Sequence, residues 1–187
     1  MVTILDTIMR TYPLDTDTIR LFMDRLQPLR LKKREILIEP GKIDKQVYFV
    51  EEGILRSYTV IDGKEVTSWF SVEGDLSFST ASFYGESFGY ETETVQALEN
   101  SLVYYMSIVE LEQLCLQHIG ISNWLRLLHQ RAFVETEKRL ISRLYMSARE
   151  RYDDLYKRNP ALFRRVNLGF IASYLGVSQV TLCALRK

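Results

Sequence analysis

The chain has 187 residues, of which 47% are hydrophobic and 26% charged, and its formal net charge is zero. This length is enough to bury a core, and the ordinary globular composition excludes disordered, collagen-like and disulfide-stapled proteins. The first 24 residues mix charges into their apolar positions, so they do not resemble a signal peptide, and no later stretch is long and apolar enough to span a bilayer. We therefore expect a cytoplasmic protein that has no membrane partner.

Charge is unevenly distributed along the chain. Residues 1–130 contain 12 Lys/Arg against 19 Asp/Glu, whereas residues 131–187 contain 12 against 5. A basic C-terminal part favours contact with a polyanion such as DNA, although charged helix faces are often simply solvated. Cys115 and Cys183 form no CxxC pair, and His118 and His129 have no ligating partners nearby in sequence, so we predict no disulfide, metal site or cofactor.

The apolar spacing changes from helical to strand-like early in the chain. Residues 16–26 have the i, i+3, i+4, i+7 spacing of an amphipathic helix. Six short strand-like runs then follow between residues 29 and 107, at 35–39, 46–50, 54–61, 65–70, 94–97 and 102–107. Asp62-Gly63 is a typical two-residue hairpin turn. Many short strands without intervening helices predict an antiparallel sandwich or barrel of the jelly-roll kind.

The strand pattern ends at Ser107, and helices are predicted from there onwards. Residues 109–116 form a short helix in this prediction, and residues 121–151 run without Gly or Pro as one long helix. Leu127, Val134 and Ile141 recur every seven residues, which favours packing against the same helix of a second copy. Packing against the helix's own domain remains the alternative.

The last twenty residues contain the most specific motif, a helix-turn-helix. Ala172 is the small residue where two helices cross, Gly176 is suited to a turn with positive φ, and Ser178 is a good N-cap for the second helix. Apolar residues at 171, 175, 177, 182 and 185 have the spacing needed to hold both helices on one core. An ordinary helical hairpin is the alternative interpretation.

A second helix of this type places its N-terminal side chains against base edges in the major groove. Gln179 is suited to adenine, and Val180 or Thr181 to a thymine methyl or a phosphate. Basic residues near the motif would contact phosphates. The candidate DNA-binding residues are Arg164, Arg165, Ser178, Gln179, Val180, Thr181, Ala184, Arg186 and Lys187.

The order of these parts resembles the Crp/Fnr family of transcription regulators over essentially the whole chain. The resemblance is carried by residues 39–41 (EPG), 47–56 (VYFVEEGILR), 96–101 (QALENS) and the helix-turn-helix. It implies a β-roll of the cyclic-nucleotide-binding type, a dimerisation helix, a DNA-binding end, a small-molecule effector and RNA polymerase as a partner.

The chain departs from the family pattern at three places. Glu91 and Glu93 stand in the turn where members that bind a cyclic nucleotide carry an Arg, so a cyclic phosphate would be repelled. The N-terminus has no cysteine cluster of the iron–sulfur branch. The second helix has Gln179 and Ala184 where members often carry arginines, and the sequence ends at Lys187, so we expect no β-hairpin wing. An apolar effector pocket is predicted instead, lined by Tyr48, Phe49, Phe70, Phe78, Phe83 and Phe88, with Glu91 and Glu93 beside it.

We therefore predict an α+β protein with an N-terminal antiparallel jelly-roll β-barrel, a long central dimerisation helix and a small C-terminal helix-turn-helix domain. The predicted boundaries are residues 1–120, 121–151 and 152–187. The predicted function is a homodimeric regulator that binds double-stranded DNA and responds to an unknown effector other than cyclic AMP. A module that kept the fold but lost specific DNA binding is the alternative. An enzyme is disfavoured, because residues 29–107 contain no histidine and the chain has no nucleotide-binding glycine motif.

Overall fold

The computed structural model describes residues 3–79 and 93–186. Within these ranges the helices are α1 (Ile4–Thr11), α2 (Thr16–Met23), α3 (Ile108–Gln117), α4 (Ile119–Tyr145), α5 (Ala148–Arg158), α6 (Leu162–Arg165), α7 (Leu168–Leu175) and α8 (Gln179–Leu185). The strands are β1 (Gln27–Leu31), β2 (Ile36–Ile38), β3 (Gln46–Glu52), β4 (Leu55–Ile61), β5 (Lys64–Ser71), β6 (Leu76–Ser77), β7 (Glu93–Ala97) and β8 (Ser101–Ser107).

The strands form two four-stranded antiparallel sheets, ordered β1-β8-β3-β6 and β2-β7-β4-β5. Asp62 and Gly63 join β4 to β5 with φ values of 49° and 72°, which is the positive-φ turn that a two-residue hairpin requires. The apolar side chains between the sheets are Leu31, Ile38, Tyr48, Val50, Leu55, Val95, Ala97 and Val103. The two sheets and the helices confirm the predicted jelly-roll barrel and the α+β class.

Helices cover the outer face of β3. Phe22 of α2, Phe49 of β3 and Trp124 of α4 pack their rings together, with centroids 5.2–5.9 Å apart. Because side chains of a strand alternate between faces, Phe49 points towards the helices while Tyr48 points between the sheets. Phe49 therefore does not belong to the interior of the barrel, where it was predicted to line a pocket.

The long helix ends earlier than predicted. We expected it to continue to about Arg151, but α4 ends at Tyr145 and Met146 is extended (φ −95°, ψ 142°). Ser147 then begins α5 as its N-cap, because its side chain accepts from the Glu150 N–H while Glu150 accepts from the Ser147 N–H. This break separates the long helix from the C-terminal helices.

The C-terminal helices pack against the β-roll. Their core contains residues of α5 to α8, but it also includes Ile54 and Phe70 of the β-roll. In the described part of the chain no single helix is long and apolar enough to cross a membrane, although α7 and α8 pass that test as a pair bent by 96°.

Candidate nucleic-acid interface and effector site

The structure confirms the predicted helix-turn-helix geometry. Helices α7 and α8 meet at 96°, and Ala172 is buried where they pack. Gly176 ends α7 in the left-handed conformation (φ 70°, ψ 38°), which a Cβ would strain. Ser178 caps α8 by accepting a hydrogen bond from the Thr181 N–H at 3.0 Å. Each of these local signals was readable from the sequence.

The N-terminal face of α8 is exposed. Val180 is 81% exposed, and the other exposed candidates on this helix and its caps are Ser178, Gln179, Thr181, Ala184 and Arg186. Gly169 at the start of α7 leaves room for Gln179, because a Cβ at residue 169 would lie 3.1 Å from Gln179 Oε1. Lys187 lies outside the described residues. This face has the shape and exposure that insertion into a groove requires.

The two basic residues at the end of α6 differ in their partners. Arg164 is exposed and forms no ion pair or side-chain hydrogen bond with the residues described. Arg165 instead reaches back to the β-roll, where its Nη1 lies 3.0 Å from Glu73 Oε2 and its Nη2 bonds to both Glu73 and Glu99. These hydrogen bonds, above all those to Glu73, raise the pKa of Arg165. A side chain held in this way is not available to a phosphate while the contact persists.

Helix α7 is also fixed to the β4–β5 hairpin. The Ser173 hydroxyl accepts from the Thr67 N–H at 2.9 Å and donates to the Glu65 carbonyl at 3.0 Å. The Phe70 ring packs on the Tyr174 ring with centroids 5.3 Å apart. Phe70 was predicted to line the effector pocket, but it faces outward and packs against the helix-turn-helix. Its face could not be assigned from the sequence, because β5 carries aromatic residues on both sides.

Arg56 of β4 is fully buried between the hairpin and α7. Its Nε donates to Thr67 Oγ1 at 2.9 Å, and its Nη1 pairs with Glu65 at 2.5 Å. The guanidinium carbon lies 3.8 Å from the centre of the Phe170 ring, while Nη2 has no hydrogen-bond partner. Sequence analysis missed this residue, because an isolated Arg in a strand resembles a solvent-facing side chain.

The interior of the β-roll holds a small polar cluster besides its apolar core. Glu93 accepts a hydrogen bond from the Ser57 hydroxyl, which lies 2.8 Å from the Ser68 hydroxyl. The second Glu93 oxygen, Oε2, is buried and has no hydrogen-bond partner among the residues that the structure describes. Tyr48 lies in the interior as expected, and its hydroxyl donates to Asp44 at 2.6 Å.

Of the remaining predicted pocket residues, the structure describes only Phe78. Phe78 lies against the long helix, with its ring 5.8 Å from that of His129. Phe83, Phe88 and Glu91 lie outside the described residues. The described candidates therefore come together only in part: Tyr48 and Glu93 face the interior, whereas Phe49 and Phe70 do not.

An apolar stripe runs along α4, and no element among residues 3–79 and 93–186 covers it. Val134 and Ile141 of the predicted seven-residue repeat are exposed, and Leu127 is partly exposed. Leu127 and Val134 line one groove on the helix surface together with Gln130, Arg131, Glu135 and Lys138. Further exposed apolar side chains extend the stripe towards the end of the helix: Phe133, Leu140, Leu144 and Tyr145.

Comparisons with known proteins agree with this architecture. Residues 28–118 match the family model of the cyclic nucleotide-binding domain. No curated protein matches the chain by sequence. Among solved structures, a protein described as a transcriptional regulator of the Crp/Fnr family from Eubacterium rectale is similar over 94% of this chain and 85% of its own, with a TM-score of 0.69 and 19% identity.

Two further regulators are similar in fold. The catabolite activator protein of Thermus thermophilus is similar over 96% of this chain and 84% of its own, with a TM-score of 0.60 and 19% identity. The c-di-GMP-responsive global regulator CLP of Xanthomonas campestris covers 91% and 89%, with a TM-score of 0.67 and 15% identity. All three are regulators rather than enzymes, in agreement with the sequence prediction. Residues 28–118 are therefore similar to the cyclic nucleotide-binding domain, and the chain has the fold of the Crp/Fnr regulators.

Proposed function

We propose that this chain is a dimeric transcription regulator that binds double-stranded DNA and is controlled by a small effector other than cyclic AMP. The observation that carries the proposal is the exposed N-terminal face of α8, where Ser178, Gln179 and Thr181 stand free of the β-roll. Side chains at this position of a helix-turn-helix are those that reach base edges in the major groove.

The stripe on α4 supports a homodimer. Leu127, Val134 and Ile141 repeat every seven residues, and their neighbours Phe133 and Leu140 are 67% and 59% exposed. Exposed apolar side chains at this spacing are stabilised when an identical helix covers them. We further propose the cytoplasm as the site of action and RNA polymerase as a partner, both from the family resemblance.

The domain boundaries follow the helix ends. We end the effector domain at His118, before α4 begins at Ile119, instead of at residue 120, and we end the dimerisation helix at Tyr145, after which Met146 is extended. The DNA-binding part then begins with α5 rather than at residue 152. It shares its core with Ile54 and Phe70, so it packs as one body with the β-roll in this structure.

The interior of the β-roll supports an effector that carries no phosphate near β7. Glu93 presents a buried carboxylate oxygen that has no partner in the described part of the chain, and a cyclic phosphate placed beside it would meet a like charge instead of a bidentate Arg. The neighbour CLP responds to c-di-GMP, but that ligand would meet the same repulsion at Glu93.

The experiment for DNA binding is selection from random duplexes at low salt, followed by sequencing. We expect a pseudo-palindromic motif with half-sites about 34 Å apart, one helical turn of DNA. Gln179→Ala should relax preference at one position in each half-site, while Arg164→Ala should weaken binding to all sequences alike. Retained binding with unchanged preference in Gln179→Ala would contradict the role of that residue.

A second candidate is a sensor or interaction module that kept the fold without specific DNA binding. It is favoured by the exposed positions Val180 and Ala184, which offer no cation or bidentate donor to a base. Failure to retard any duplex and to enrich any motif would support this candidate over the regulator.

A further inference from the structure

We propose that Arg139, Arg143 and Arg151 act as positioning residues that fix the helix-turn-helix relative to the long helix and so set the half-site spacing that the dimer accepts. We call these three residues the arginine clamp. The inference rests on the proposed function, because it specifies how a dimeric DNA-binding regulator would measure its site.

The clamp binds the C-terminal end of α7. The last carbonyl groups of a helix lack intrahelical partners and carry the negative end of its dipole. Arg143 Nη2 donates to the Tyr174 carbonyl at 2.9 Å and lies 3.3 Å from the Ser173 carbonyl. Arg151 Nε donates to the Leu175 carbonyl at 3.0 Å. Three consecutive carbonyls of α7 are thus held by arginines from α4 and α5.

The same residues span the break after the long helix. Arg151 Nη1 donates to the Met146 carbonyl at 2.7 Å, so one guanidinium joins the end of α4 to the end of α7. Arg139, two turns earlier on α4, donates to the Ser68 carbonyl and lies with its guanidinium carbon 4.9 Å from the centre of the Tyr174 ring. Because Met146 is extended, no helical hydrogen bonds continue through that point, and the C-terminal helices are then oriented by these arginines together with the contacts of α6 and α7 with the β-roll.

The three arginines of the clamp repel one another, so their arrangement depends on the acceptors that α7 presents to them. Burial, followed by the positive charges of Arg139 and Arg151, lowers the pKa of Arg143. Three like charges stay together because carbonyl dipoles and the Tyr174 ring face them, and these acceptors exist only while α7 occupies this orientation. The three arginines surround a cavity of about 20 Å³, which has room for little more than a water molecule.

In a dimer, the orientation of the helix-turn-helix relative to α4 would set the spacing between the two half-sites. If α4 lies along the two-fold axis, the position of each α8 relative to its own α4 determines the distance between the two recognition helices. One base pair corresponds to about 3.4 Å, so a modest rotation at Met146 would shift the preferred spacing by a base pair. Loss of the clamp should therefore widen the range of spacings without changing which bases are read.

The first test measures orientation without DNA. Nitroxide labels on the exposed native Cys183 and on Thr136→Cys, in a Cys115→Ser background, report the distance between α4 and α8. Dilution with unlabelled protein isolates the distance within one protomer. We expect a narrow distribution that becomes at least about twofold broader in Arg143→Gln and in Arg143→Lys, because Lys keeps the charge but lacks the planar guanidinium.

The matched control is Arg126→Gln, which removes the same charge from α4 at a residue that bonds only to Gln130 in the described chain. Its distribution should equal that of the wild type, and circular dichroism should show that all variants are folded. An unchanged narrow distribution in both Arg143 variants would overturn the clamp.

The second test uses the selected half-site at a series of spacings. Wild type should prefer one spacing over those a base pair longer or shorter by about tenfold, and Arg143→Gln should reduce this to about threefold or less while keeping its half-site sequence preference. Undiminished spacing discrimination in Arg143→Gln would overturn the inference. A broadened distance in the first test with no DNA bound by wild type would refute the proposed function but support the clamp.

Discussion

Arg164 and Arg165 are adjacent at the end of α6 but differ in what they contact. Arg165 is bound by Glu73 and Glu99, whereas Arg164 is exposed. We expect Arg165→Ala to lower the free energy of unfolding by about 1 to 2 kcal/mol, because it removes two partly buried ion pairs. Arg164→Ala, the matched control, should leave stability unchanged and reduce the salt dependence of DNA binding. Chemical unfolding and binding titrations at several salt concentrations distinguish the two; equal stability of both variants would contradict the assignment.

Asp75, in the turn before β6, is a source of pH dependence. Its carboxylate accepts from the Val72 N–H at 2.9 Å, and burial together with the nearby Glu73 charge raises its pKa to about 6. The folded state therefore holds the proton more tightly than the unfolded state, so this group's contribution to stability falls as pH rises from about 4 to 6 and stays constant above.

Asp75→Asn should remove this pH-dependent loss of stability, because the amide oxygen can still accept from the Val72 N–H while no charge is buried. We expect a gain of about 1 to 2 kcal/mol at pH 7.5, after allowance for solvent screening, and little gain at pH 4.5. Urea unfolding across this range measures the effect, with the exposed Asp17→Asn as control. A gain of equal size at both pH values would show that the charge of Asp75 is not its cause.

Elements defined by local signals were predictable from the sequence. Asp62-Gly63, Gly176 and the cap Ser178 each fix backbone geometry within a few residues, and the structure places the turn or helix start where those signals indicated. Ser147 and Glu150 form a capping box that is also a local signal, and it explains why α4 ends at Tyr145. We missed this signal, because the absence of Gly and Pro led us to extend the predicted helix past Ser147.

Contacts between elements distant in sequence were not predictable. Phe70 and Arg56 are ordinary strand residues until α7 packs on the β4–β5 hairpin and covers them. Arg165 likewise gains its partners Glu73 and Glu99 only when α6 packs against the β-roll. A single sequence contains no local pattern that brings residue 65 to residue 173. Exposure of the candidate residues in α8 was accordingly well predicted, because it follows helix periodicity. The faces of the candidate residues in the β-roll were poorly predicted, because they depend on which side of a strand points between the sheets.

The apolar repeat of α4 predicts that charges placed in it weaken the dimer. Leu127→Asp combined with Val134→Asp should raise the dissociation constant of the dimer at least about 100-fold, because each substitution places a charge where about 1.5 to 3 kcal/mol of apolar burial is expected. Thr136→Asp adds a charge to the same helix away from the repeat and should leave the dimer intact. Sedimentation measures both; a wild type that is monomeric at micromolar concentration would contradict the stripe's role.

At the scale of the whole molecule, the interior of the β-roll is connected to the helix-turn-helix by a short series of contacts. Glu93 accepts from Ser57, Ser57 contacts Ser68, and the Ser68 carbonyl accepts from Arg139, which lies over the Tyr174 ring. A ligand that moved Glu93 would therefore act on Arg139 of the arginine clamp through two residues, Ser57 and Ser68. If a ligand of the β-roll contacts Glu93, as we propose, the same residue would influence both which ligand binds and how binding is transmitted to α7.

Binding of cyclic AMP tests whether the Glu93 carboxylate repels a cyclic phosphate. Glu93 presents to the interior a buried oxygen that no described residue contacts by a hydrogen bond. We therefore expect no calorimetric binding of cyclic AMP or cyclic GMP below about 1 mM, an affinity weaker than about −4 kcal/mol. Glu93→Gln removes the like charge but keeps an acceptor for Ser57, so any residual cyclic AMP affinity should rise by about tenfold. Adenosine, which lacks the phosphate, should bind both proteins equally. Micromolar binding of cyclic AMP to the wild type would show that a cation of the β-roll compensates Glu93, and that the effector belongs to the cyclic nucleotides after all.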